Sequence, residues 1–101
     1  MNTTVTSLSD LPDETHAPVF SEHEPKVIRL LLDAGDQIDP HDHPGRDIVL
    51  YARSGELDVH ISEDTHTLSA DDLIRFSGTE TIAIDAVTDA TALVILAAHA
   101  E

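Results

Sequence analysis

Apolar residues recur along this chain in short runs with a period of two. From Lys26 to Leu32, Ile28, Leu30 and Leu32 share one face of an extended strand, while Val27, Arg29 and Leu31 share the other. Ile48 to Ala52 is apolar on both faces, as expected of a strand buried on both sides. One face would line a core and the other would meet a second protomer. Leu57, Val59 and Ile61 alternate strictly with Glu56, Asp58 and His60, which is the pattern of a half-buried strand. Further strands are predicted over Thr65 to Leu68, Leu73 to Phe76, around Ile82 and Ile84, and over Thr91 to Ala98, the last again apolar on both faces. Asp33-Ala34-Gly35, Ser54-Gly55-Glu56, Glu63-Asp64, Asp71-Asp72 and Thr88-Asp89 supply the turns. Short strands with turn signals every 8 to 12 residues or so read as an all-β sandwich or barrel, and no helix of useful length fits.

The amino-terminal stretch is different. Up to about residue 16 only Val5, Leu8 and Leu11 are apolar anchors, and Ala17 to Phe20 suits one short strand. The expected organisation is an arm over residues 1–25, partly flexible or an edge strand, and a barrel over residues 26–101. His16 and His23 fall in this polar arm and read as solvated side chains.

The chemistry concentrates between Gly35 and Gly55. His41 and His43 lie two apart, so on an extended strand they project the same way while Asp42 points away. Pro44-Gly45 bends the chain, and the next extended run would return Asp47 to the same side. Two imidazoles and a carboxylate with open positions suit a divalent transition metal such as non-haem Fe(II). Tyr51 and Arg53 share the parity of Asp47 and are expected on the same interior face; Arg46 and Arg53 read as partners of the abundant carboxylates, and Arg75 as a strand charge facing solvent. His60 reads as a surface residue. His66 shares parity with Leu68, and His99 ends the last strand.

The spacing Gly35, five residues, His41-x-His43, three residues, Asp47, seven residues, Gly55 resembles the first motif of the cupins. That family has Glu where this chain has Asp47, and one residue fewer before the closing Gly. Leu68 to Ile82 is similar to the family's second motif, with Asp72 at its turn, Leu73 to Phe76 as its strand and Ser77-Gly78-Thr79 in place of Pro-x-Gly. Ile82 stands where the third ligand His is expected. The resemblance covers about Val27 to His99 and implies a cupin-type double-stranded β-helix, a jelly-roll barrel in a single domain. It also implies one divalent metal, Fe, Mn, Ni or Zn, held by His41, His43 and Asp47 at the barrel mouth in a degenerate site. Two alternatives accompany it: a metal-free small-molecule-binding or structural module, and a metal-dependent oxygenase, isomerase or lyase. Cupins are commonly dimeric, so a homodimer is expected, with a small-molecule ligand in the barrel.

Composition narrows the partners. Twenty acidic residues against five basic ones give a formal net charge of -15, which disfavours nucleic acid and anionic membranes. There are no cysteines, so disulfides and thiolate metal sites are excluded. No basic start followed by an apolar run opens the chain, and no stretch reaches membrane-spanning length, so a soluble cytoplasmic protein is the expectation. Acidic, with Lys26 its single lysine, and rich in Thr, Ala and Val, the chain resembles proteins of salt-loving archaea. At 1 M salt the Debye length shrinks to roughly 3 Å, which screens the self-repulsion. The unfolding midpoint, followed by circular dichroism, is therefore expected to rise steeply with KCl concentration. A flat response would mark an acidic protein of ordinary salt tolerance.

Overall fold

The two-residue alternation of Lys26 to Leu32 becomes a barrel wall because its neighbours in the sheet alternate in step with it. The computed structural model describes residues 3–22 and 24–99; His23 lies outside the described residues. A 3-10 turn, Leu8–Asp10, precedes β1 (His16–Pro18), β2 (Lys26–Leu32), β3 (Gln37–His41), β4 (Arg46–Ser54), β5 (Glu56–Ile61), β6 (Asp64–Ser69), β7 (Leu73–Ser77), β8 (Ile82–Ala86) and β9 (Ala90–Ala98). These strands form two antiparallel sheets, ordered β1-β2-β9-β4-β7 and β3-β8-β5-β6. The fold is all-β and a single domain, as the sequence pattern predicts. No helix among the described residues is long and apolar enough to cross a membrane.

Register explains the core. In the first sheet Ile28 pairs with Val94, Val94 with Leu50, and Leu50 with Ile74, one inward-facing row across four strands. Leu96, Ile48 and Phe76 make the next row. The second sheet answers with Leu57, Val59, Ile82, Ile84 and Ala86. Ile48, Leu50, Leu57 and Val59 are the largest side chains to be fully buried. Each contributes about 1.5–3 kcal/mol relative to exposure.

The outer faces of the two sheets differ. That of the second sheet is polar: His60 contacts Asp85 through Nε2 at 2.9 Å and Thr65 Oγ1 through Nδ1 at 2.9 Å. That of the first sheet carries Val27, Ile95 and Val49 in one row and Leu93, Tyr51 and Leu73 in the next, with Leu73 62% exposed. Arg29 belongs to this outer face yet is buried. Its Nη2 donates to the Pro12 carbonyl at 2.7 Å, and the Leu31 amide donates to Thr15 O at 3.0 Å. The arm is thus laid against the edge of the sheet and contributes β1 to it.

Candidate ligand pocket at the barrel mouth

β3 delivers the histidines. Its ladder with β8 shifts register between Ile38 and His41, and the chain then turns through His43 to Arg46. Gly78, beyond the end of β7, clamps this turn from both sides. The His43 amide donates to Gly78 O at 2.7 Å and the Gly78 amide to Arg46 O at 2.7 Å. A Cβ at position 78 would lie 2.1 Å from the His43 carbonyl oxygen, so only glycine allows this close approach.

The two imidazoles meet edge to face, ring centroids 4.8 Å apart and planes at 89°. His41 Nδ1 lies 2.8 Å from the Asp39 carbonyl oxygen. A carbonyl only accepts, so Nδ1 carries the hydrogen and the neutral ring keeps a lone pair on Nε2. Burial lowers the pKa of His43, and the neighbouring His41 lowers it further. Below and around the rings is a cavity of about 370 Å³, walled by Ile28, Leu30, Ile38, Ile48, Ile82, Ile84, Val94 and Leu96. His16, Asp39, His41 and His43 are the polar residues that line it.

Asp47 does not join the histidines. On β4 the even-numbered Ile48, Leu50 and Ala52 take the interior, which turns Asp47 outward opposite Ser77 and Ala97. Its carboxylate meets His99 Nδ1 at 3.0 Å and 3.1 Å, and Arg75 at 3.8 Å. Tyr51 and Arg53 do share its face, but that face is the outside of the barrel. Tyr51 Oη donates to Asp71 Oδ1 at 2.5 Å. Arg46 pairs with Glu24 at 2.8 Å and also donates to Leu96 O at 3.2 Å. Ile82 pairs with His41 across the β3–β8 ladder and is 4% exposed, so it occupies the wall beside the rings. Among the described residues no three His, Cys, Asp or Glu side chains are grouped to hold a metal ion.

Of the remaining histidines, His66 lines a separate groove with Ile61, Ile74 and Glu80. His16, expected as a solvated side chain of the arm, is exposed, but the sequence gives no sign of where it sits. β1 pairs it with Leu30, an inward position, so an arm residue comes to line the mouth. No two-residue pattern in the short Ala17 to Phe20 run reveals that pairing.

Two antiparallel sheets closed face to face, with paired imidazoles over an aliphatic chamber, define a small β-barrel with a ligand-sized mouth. The sequence matches the cupin domain family over residues 28–98, and the chain belongs to that family. No curated protein matches it. Among solved structures it is similar to KdgF from Halomonas sp., at 16% identity and a TM-score of 0.84, with 99% of this chain and 97% of that one covered. A predicted oxalate decarboxylase from Thermotoga maritima has 21% identity and a TM-score of 0.84, with 95% and 100% covered. An RmlC-like cupin from Shewanella frigidimarina has 16% identity and a TM-score of 0.83, with 99% and 95% covered. At these identities the likeness is one of fold.

The environment of His43 has a measurable consequence. Its imidazole resonances are expected to titrate below the free-imidazole value of about 6.5. The unfolded chain then takes up that proton first, so stability falls as pH drops through about 6.5 and levels off below the folded-state value. Changing His43 to Asn should flatten that part of the stability profile in pH-dependent urea melts.

Proposed function

We propose that this cupin domain is a small-molecule-binding module whose ligand enters the barrel mouth, its body in the aliphatic chamber and its polar end against His41 and His43. The observation that carries this reading is the convergence of two imidazoles on a cavity of about 370 Å³ whose walls, His16 and Asp39 apart, are aliphatic. The fold assigns no reaction, since cupin-like barrels host many chemistries. KdgF and the predicted oxalate decarboxylase are therefore neighbours in shape alone.

A divalent metal held by His41 and His43 is the second reading. It is favoured by the His41 Nδ1 contact to a backbone carbonyl, the kind of support that orients metal-ligating imidazoles. The donor set does not fit a centre with three protein ligands, because Asp47 faces outward and Ile82 fills the neighbouring wall. Zn(II) titrated calorimetrically is expected to bind the wild-type chain weakly. Ile82→His adds a donor directly across from His41 and should tighten binding at least about tenfold. Equal affinities in the two proteins would place any zinc uptake elsewhere.

A homodimer is proposed through the outer face of the first sheet. Among the described strand residues facing out there, Asp47 is the single carboxylate, while Arg53 and Arg75 supply two of the chain's five basic residues. A chain of net charge -15 meets its own copy with least repulsion on such a face, and the half-buried Val27, Val49, Leu93 and Ile95 give it apolar area to bury. Sedimentation velocity in high salt should show a dimer that Leu93→Asp converts to monomer. A wild-type monomer at micromolar concentration removes the proposal.

A further inference from the structure

The pocket's polar equipment is unusual for what it lacks. Neither Lys nor Arg lines it, and Arg46, which closes the His43 turn, is engaged by Glu24 and by the Leu96 carbonyl. His41 has its Nδ1 hydrogen committed to Asp39 O, so in the neutral ring the free nitrogen, Nε2, accepts a hydrogen bond and does not donate one. Apart from His16, Asp39, His41 and His43 the walls are aliphatic, with no Phe, Tyr or Trp to stack on a planar ligand and no Ser, Thr or Tyr hydroxyl to pair with a second polar group.

From this geometry we infer the chemical class of the ligand, an inference that rests on the pocket reading above: an uncharged aliphatic alcohol, its hydroxyl donating to Nε2 of His41. A carboxylate has no hydrogen for that lone pair. It would be stripped of water without a counter-charge, inside a chain of net charge -15. A polyhydroxylated sugar would bring several hydroxyls against Ile, Leu and Val side chains that cannot pair with them. A single hydroxyl on a compact hydrocarbon meets both demands: a donor for the His41 lone pair, and apolar surface for the aliphatic part of the walls.

Three probes of similar shape test this at pH 8: cyclohexanol, cyclohexanecarboxylate and methylcyclohexane. Binding is read from the δ1-methyl resonances of Ile38, Ile48, Ile82 and Ile84, which line the chamber. Cyclohexanol is expected to bind at least about tenfold more tightly than the carboxylate and more tightly than methylcyclohexane. His41→Phe keeps a ring but removes the acceptor, and should erase the advantage of the alcohol over the hydrocarbon. The ranking in the wild-type protein decides the matter even where that variant does not fold. A carboxylate that binds as well as the alcohol overturns the ligand class and leaves the pocket intact as a binding site. Methyl resonances that respond to none of the three overturn the pocket reading and this inference with it.

Discussion

The structure depends on one constraint in the middle of its first sheet: β4 lies between β9 and β7, and β9 between β2 and β4, so the two share a ladder and must use both of their faces. Once Ile48, Leu50 and Ala52 fill the interior beside Ala92, Val94 and Leu96, every odd-numbered residue of these strands is committed to the outside. A slip by one position would exchange the two sets and put Asp47, Tyr51 and Arg53 into the core. The cost of burying those polar groups is what fixes the register. The position of Asp47 is therefore decided by the hydrophobic pattern of a whole strand and not by its closeness in sequence to His43.

The histidine pair is set by a different, local device. The ladder of β3 with β8 shifts register just before His41, and the turn that follows is held by backbone hydrogen bonds to Gly78. That glycine is in the stretch where the family's Pro-x-Gly turn is replaced by Ser77-Gly78-Thr79. Gly78 takes the middle position of that turn, and it is the residue there that has to lack a side chain. The close packing of Gly78 on the His43 carbonyl ties the end of β7 to the histidine turn. Ligand geometry and barrel closure are one problem here, solved by one tight contact between two turns.

Much of this was legible in the sequence, and the division follows the range of the interaction. Strands β2, β5 and β7 appear within a residue or so of where alternation puts them, because each buries a face whose period is visible in five to seven residues. β3 was read as the approach to the histidine loop: Asp39-Pro40 interrupts its alternation, and its pairing with β8 is set far away in sequence. The convergence of His41 and His43 is local and was legible. The outward turn of Asp47 was not, because the bend at Pro44-Gly45 leaves the parity of the next strand open until its core residues are counted. Nor was the place of exposed His16 at the rim of the mouth, which depends on how an edge strand of three residues aligns with Leu30.

Charge closes the account, since the acidic residues are not spread evenly over this fold. On the second sheet Asp58 and Asp85 stand directly opposite each other, a pairing that repels unless neighbours absorb the charge. Thr67 donates to Asp58 and His60 contacts Asp85, so each carboxylate has its own partner. On the first sheet's outer face such pairs are avoided altogether, and the lone strand carboxylate, Asp47, is flanked by His99 and Arg75. A surface selected only for solubility would have no reason to keep acid off one face and crowd it onto the other. The asymmetry leaves the outer face of the second sheet acidic and that of the first a mixture of apolar and basic side chains.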